Sequence, residues 1–152
     1  MWLCNSSIGR KVVMSVTGVA LILFLTFHMS MNIAALFSGD AYNMICEFLG
    51  ANWYALVATL GLAALAVIHI LYAFWLTMQN RKARGTERYA VTTRPAGVEW
   101  SSQNMLVLGI IIILGLLLHL FNFWYNMMFA ELTGIAVAHA PADGYAYIVD
   151  TF

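Results

Sequence analysis

The sequence predicts an all-α membrane protein with three transmembrane helices, and two observations carry that prediction. First, three apolar runs are each long enough to cross a bilayer, which takes about 20 residues. They span roughly Val12–Phe37, Trp53–Gln79 and Gln103–Met128. Second, 62% of the 152 residues are hydrophobic and only 9% charged, against about 45–50% and about 25% in soluble domains. No proline interrupts the runs. Backbone groups in lipid must be satisfied internally, so the runs are helices rather than isolated strands.

The first run follows Arg10–Lys11. It exceeds the about 7–15 apolar residues of a cleavable signal, and no small-x-small cleavage site follows, so it reads as a retained first span. All seven basic residues lie in two places: Arg10 and Lys11 before the first span, and Arg81, Lys82, Arg84, Arg88 and Arg94 between the second and third. The positive-inside rule therefore expects the N-terminus and the 79–102 loop in the cytoplasm. It expects the 38–52 loop and the 129–152 tail outside. Trp53 and Trp124 mark the outer interface, and Trp2, Trp75 and Trp100 the inner one. The tail, with Gly134, Pro141, Asp143 and Gly144, reads as a loop with room for a short interfacial helix.

Net charge is zero, so no nucleic-acid partner is implied. Cys4 and Cys46 lack metal-type spacing and read as small side chains; an iron–sulfur cluster takes about four cysteines. No phosphate-binding loop, nucleophile elbow or zinc motif is present.

The chemistry that stands out is three histidines, one in each run: His28, His69 and His119. An ionisable residue in a membrane span is expensive and points to a function. His28 lies about 17 residues from the inner end of its span, roughly 25 Å at about 1.5 Å per residue. His119 lies about as far from the inner end of the third span. His69 sits about 16 Å from the inner end of the second, hence roughly 9 Å nearer the cytoplasm. Two imidazoles at one depth suit the two faces of a haem iron. A single intramembrane histidine serves equally well as a proton relay or an interhelical hydrogen bond. Gly18, Gly109 and Gly115 offer clearance near the histidines or close helix packing. Ser15 and Thr17 add hydroxyls near the inner end of the first span. Asn32 and Asn122 suit interhelical hydrogen bonds or the outer headgroups. Glu47, in the outer loop, reads from its surroundings as a solvated acid, and His139 as a solvent-exposed histidine.

SSIGRKVVMSVTGVALILFLTFHMSMN, LAVIHILYAFWLTMQNRKARG and LGIIIILGLLLHLFNFW, in this order, resemble the membrane cytochrome b subunit of succinate dehydrogenase/fumarate reductase. The likeness is to the single-subunit dihaem form of Bacteroides-type anaerobes and covers essentially the whole chain as one cytochrome b domain. S-x-T-G precedes His28 with ten residues from glycine to histidine, and Gly109–His119 repeats that spacing. The resemblance implies a five-helix haem-binding bundle with four axial histidines. His28 and His119 match the ligands of the distal haem b, and His69 matches one ligand of the proximal haem. Ser15 matches a serine on a haem propionate. Glu47 matches, at a different loop spacing, a glutamate of the quinone site. The resemblance further implies a flavoprotein subunit and an iron–sulfur subunit as partners, menaquinone as the quinone, and the bacterial inner membrane as the location. The chain stops at Phe152, where the family's fourth helix would begin. A fragment carrying three of five helices is therefore the expectation, with the second proximal ligand beyond it. A histidine relay for protons or ions, or a haem-free structural anchor, are the alternatives.

Overall fold

A computed structural model describes residues 6–85 and 97–152. The chain is all-α, with no strand among the described residues. Helix α1, Ser7–Asn32, tightens into a 3₁₀ turn at Ile33–Leu36. Helix α2 is Gly39–Phe48 and α3 is Trp53–Arg84. A single turn, α4, covers Trp100–Gln103. Helix α5, Met105–His119, continues as a π-helical segment, Leu120–Phe129, and a last turn, α6, Ala130–Thr133. Helix α7 is Gly144–Thr151. Three helices are long and apolar enough to cross a membrane: Ser7–Leu36, Trp53–Arg84 and Met105–Thr133.

The helix boundaries follow local chemistry. Ser6 caps α1, its hydroxyl accepting from the Gly9 amide at 2.9 Å, which satisfies one of the amides orphaned at a helix start. The first span thus begins five residues before the expected Val12, because the cap lies upstream of Arg10–Lys11. The second runs to Arg84 rather than Gln79. Arg81, Lys82 and Arg84 occupy its last turn, where cations offset the negative end of the helix dipole, and Gly85 turns the chain away at φ 67°. Gly134 ends the third span in the left-handed region, φ 69°, its amide reaching the Ala130 carbonyl at 2.8 Å. Trp2, Cys4, Arg88 and Arg94 lie outside the described residues.

The first and second spans pack along each other. At the basic end, Arg10 donates to Gln79 at 2.6 Å and stacks 5.1 Å from the Trp75 ring centre. The opposite end carries a cap. The 38–52 segment, expected as a loop, contains α2, capped by Ser38 with Asp40 in its first turn. The tail contains α7, capped by Asp143. These two short helices lie against each other. Asn43 donates to Asp143 Oδ1 at 2.8 Å, and its own Oδ1 accepts from the Tyr145 amide at 2.9 Å. Gly144 and Gly39 permit the approach: a Cβ on Gly144 would fall 2.5 Å from Cys46 Sγ, and one on Gly39 would fall 2.8 Å from the Tyr145 ring. The two short helices therefore tie the far end of the first span to the far end of the third.

Candidate functional site: two histidine levels

His28 and His119 meet. Their ring centroids are 5.6 Å apart with planes at 88°, bringing together two spans far apart in the sequence, as the equal depths expect. Each ring is flanked one helical turn away by phenylalanine: Phe24 stacks on His28 at 5.4 Å, and Phe123 lies 5.3 Å from His119. The i,i+4 spacing that makes these pairs neighbours is readable from the sequence, and neither aromatic is among the expected site residues. Phe152 stacks on Phe123 at 6.5 Å, extending the row of rings to five. The backbone below His28 is held by Asn32, whose Nδ2 donates to the His28 carbonyl at 2.7 Å while its Oδ1 accepts from Tyr42 at 2.9 Å. The expected interhelical role of Asn32 is therefore met through the cap helix α2. Asn122 lies in the π-helical segment, and its carbonyl accepts from Asn126 at 2.8 Å. That segment begins directly after His119; π geometry is uncommon and concentrates at functional sites.

His69 stands at a separate level. Its Nδ1 is 2.8 Å from the hydroxyl of Thr17, which is 5% exposed. Thr17 lies 11 positions before His28 in the same helix, about 16 Å along the axis. The two levels are thus further apart than the roughly 9 Å expected by counting from charged span ends. Those ends do not share one plane: long Arg10 spans to Gln79, while Thr17 and His69 meet directly, seven residues on in one helix against ten in the other. Gly18 belongs to this level rather than to His28, because a Cβ there would come within 3.4 Å of His69 Cε1.

The remaining candidates are dispersed. Ser15 is exposed, two positions from buried Thr17 and so on another side of the helix. Glu47 is exposed at the end of α2. The carboxylate that closes the start of the second span is Glu131, which accepts from the Ala51 amide at 3.1 Å. His139 is part-exposed, as expected of a tail histidine, with Nε2 2.5 Å from Asp150 Oδ2, and the Tyr147 hydroxyl donates to its carbonyl at 2.7 Å. Cys46 is a packing residue of the cap. Burial pushes its thiol pKa up, and nearby Asp143 adds to this, against the hydrogen bonds from Tyr42 and the Gly144 backbone.

Among the described residues no three His, Cys, Asp or Glu side chains converge. The His28–His119 pair therefore offers a bare ion only two protein ligands, fewer than a structural metal site needs. Two imidazoles are instead what an iron already held by a macrocycle takes on its two faces. One turn before His119, a Cβ on Gly115 would meet nothing within 4 Å, so that side of the helix is open. The His28–His119 pair fits the group in donor chemistry, two imidazoles brought together from two spans. Comparison with protein families, with characterised proteins and with solved structures finds no match.

Proposed function

We propose that this chain is the membrane-anchoring cytochrome b part of a succinate:quinone oxidoreductase, passing electrons between an iron–sulfur subunit and a quinone through b haem. The observation that carries the reading is the juxtaposition of His28 and His119, with ring centroids 5.6 Å apart across two apolar spans. When bound, the haem would supply one-electron transfer; the dicarboxylate chemistry would belong to a flavoprotein partner. His28 and His119 would hold the distal haem iron from its two faces. Phe24 and Phe123 support the two rings and keep their surroundings apolar, one of the ways a protein sets a haem potential. His69 would serve the proximal haem together with a ligand that the three spans do not supply. Ser15 is the candidate for a haem propionate and Glu47 for the quinone, with menaquinone as the quinone type.

The basic Arg10 and Arg81–Arg84 end supports, by the positive-inside rule, a cytoplasmic side there, and the resemblance implies a bacterial inner membrane. The flavoprotein and iron–sulfur subunits would dock there, with the α2–α7 cap outside. The test is a reduced-minus-oxidised spectrum of the protein purified from membranes. A b-type band is expected, lost in His28→Ala and in His119→Ala. A band undiminished in both variants would overturn the ligand assignment. Absence of any band from a full-length protein would favour a histidine relay or a haem-free anchor.

A further inference from the structure

We propose that Thr17 is the positioning residue of His69, holding the imidazole in the tautomer with its proton on Nδ1 and its lone pair on Nε2, ready for a metal. The metal half of this statement rests on the cytochrome reading; the tautomer half stands on geometry alone. A threonine hydroxyl has one proton to give and lone pairs to accept with. Thr17 Oγ1 lies 2.7 Å from the Val13 carbonyl and 3.3 Å from that of Met14, and a carbonyl only accepts. The hydroxyl proton is therefore committed to the preceding turn of its own helix. What Oγ1 presents to His69 Nδ1, at 2.8 Å, is a lone pair, so Nδ1 must be the donor. In a neutral imidazole the other nitrogen is then unprotonated.

Three features make this bond more than a passing contact. Thr17 is only 5% exposed, so water competes little for its hydroxyl. Gly18 lets the ring edge carrying Nδ1 and Cε1 settle against the first span, since a Cβ there would sit 3.4 Å from Cε1. Among the described residues Nε2 has no hydrogen-bond partner, yet it is not sealed inside the protein. A histidine that binds a metal almost always donates its other ring N–H to a fixed acceptor, and loss of that acceptor lowers metal affinity about 10–100-fold. Thr17 supplies such an acceptor at the inner level. At the outer level His28 and His119 are positioned by rings instead.

The experiment uses the chain labelled with ¹⁵N in its histidine rings and placed in lipid nanodiscs, with His69→Gln to assign the signal. Ring ¹⁵N shifts should show His69 as the Nδ1–H tautomer. Thr17→Val, close in shape but without the hydroxyl, should lower the Nδ1–H to Nε2–H ratio about fivefold, the worth of one hydrogen bond. Thr17→Ser should restore it. A protonated Nε2 with bare Nδ1 in the parent chain, or a ratio unmoved by Thr17→Val, would overturn the proposal. Titration with iron protoporphyrin IX gives the second readout: binding through His69 should weaken about tenfold in Thr17→Val and recover in Thr17→Ser. If the tautomer responds as expected but no haem spectrum forms at His69, the cytochrome reading fails there while Thr17's control of the ring stands.

Discussion

The capped end and the membrane spans are packed to different standards. In the cap, Ala130, Tyr147 and Tyr42 are 2%, 5% and 8% exposed, and polar side chains of α2 and α7 answer one another directly. Along the spans, most large apolar side chains are exposed, and α5 buries no residue at all. Lipid tails are as apolar as leucine, so bare hydrophobic faces drive little association between helices in a bilayer. The third span is instead tied to the first at one end, through α2, α7 and the His28–His119 contact. His28 and His119 thus meet near the end where the short helices tie two spans together, whereas His69 meets Thr17 along the packed face of the first two spans.

The sharpest way to break that division is Gly144→Ala. Its Cβ would meet Cys46 Sγ at 2.5 Å, with Met127 Cε and Tyr42 Cε1 each at 3.0 Å. Three neighbours on two elements, Cys46 and Tyr42 on α2 and Met127 on the π-helical segment, cannot all be cleared by one rotation. The overpacking should lower stability by about 1–3 kcal/mol, partly offset because alanine is the better helix former by about 1 kcal/mol. Cys46→Ala removes the nearest obstacle, so the double variant should recover part of the loss in a thermal-unfolding cycle. Full additivity of the two changes would show that they do not share this contact. The ring ¹⁵N signature of His69 should be unmoved by Gly144→Ala; a change there would show that cap and spans are not separable.

A smaller effect is expected from Asn43→Ala, which removes the donor to Asp143 and the acceptor of the Tyr145 amide together. One of these bonds is made to a carboxylate, and the site is only half-buried. A loss of about 1–2 kcal/mol follows from the net worth of such bonds. An unfolding midpoint within error of the parent would mean that α2 and α7 are held by their glycine contacts alone.

Much of this was legible in the sequence, for reasons that differ by residue. The spans follow from hydropathy, and the meeting of His28 with His119 follows from the fixed rise of a helix. The short helices were less legible. Ser38 with Asp40, and Asp143 before Gly144, are readable starts, but α2 and α7 depend on each other across about a hundred residues of chain. Thr17 looked like one hydroxyl among two, because its partner lies on another span, 52 positions away. Gly18 was expected beside His28 by its ten-residue spacing. Which neighbour a glycine admits is decided by the helix packed against it, and here that helix brings His69.

The smallest effect concerns pH and again separates the cap from the spans. Burial holds the Tyr42 hydroxyl well above the usual phenol range, and neighbouring Cys46 adds to this; burial likewise raises the Cys46 thiol. Both groups are neutral when protonated, and the folded cap keeps protons that the unfolded chain would release. Their contribution to stability is therefore whole below the ordinary thiol and phenol values, about 8.5 and about 10. It declines as pH rises from those values toward the raised ones, because the unfolded state then binds fewer protons than the folded state. An unfolding midpoint that falls on the alkaline side is expected, with the early part of the decline flattened in Cys46→Ala and the later part in Tyr42→Phe. With Cys4 replaced by serine, thiol labelling near neutral pH should be slower than for a free cysteine and faster in Gly144→Ala, where the cap is loosened. Labelling of the parent at the rate of an unhindered thiol would mean that Cys46 is not held in the cap, and the contrast between a closed end and open spans would lose its chemical marker.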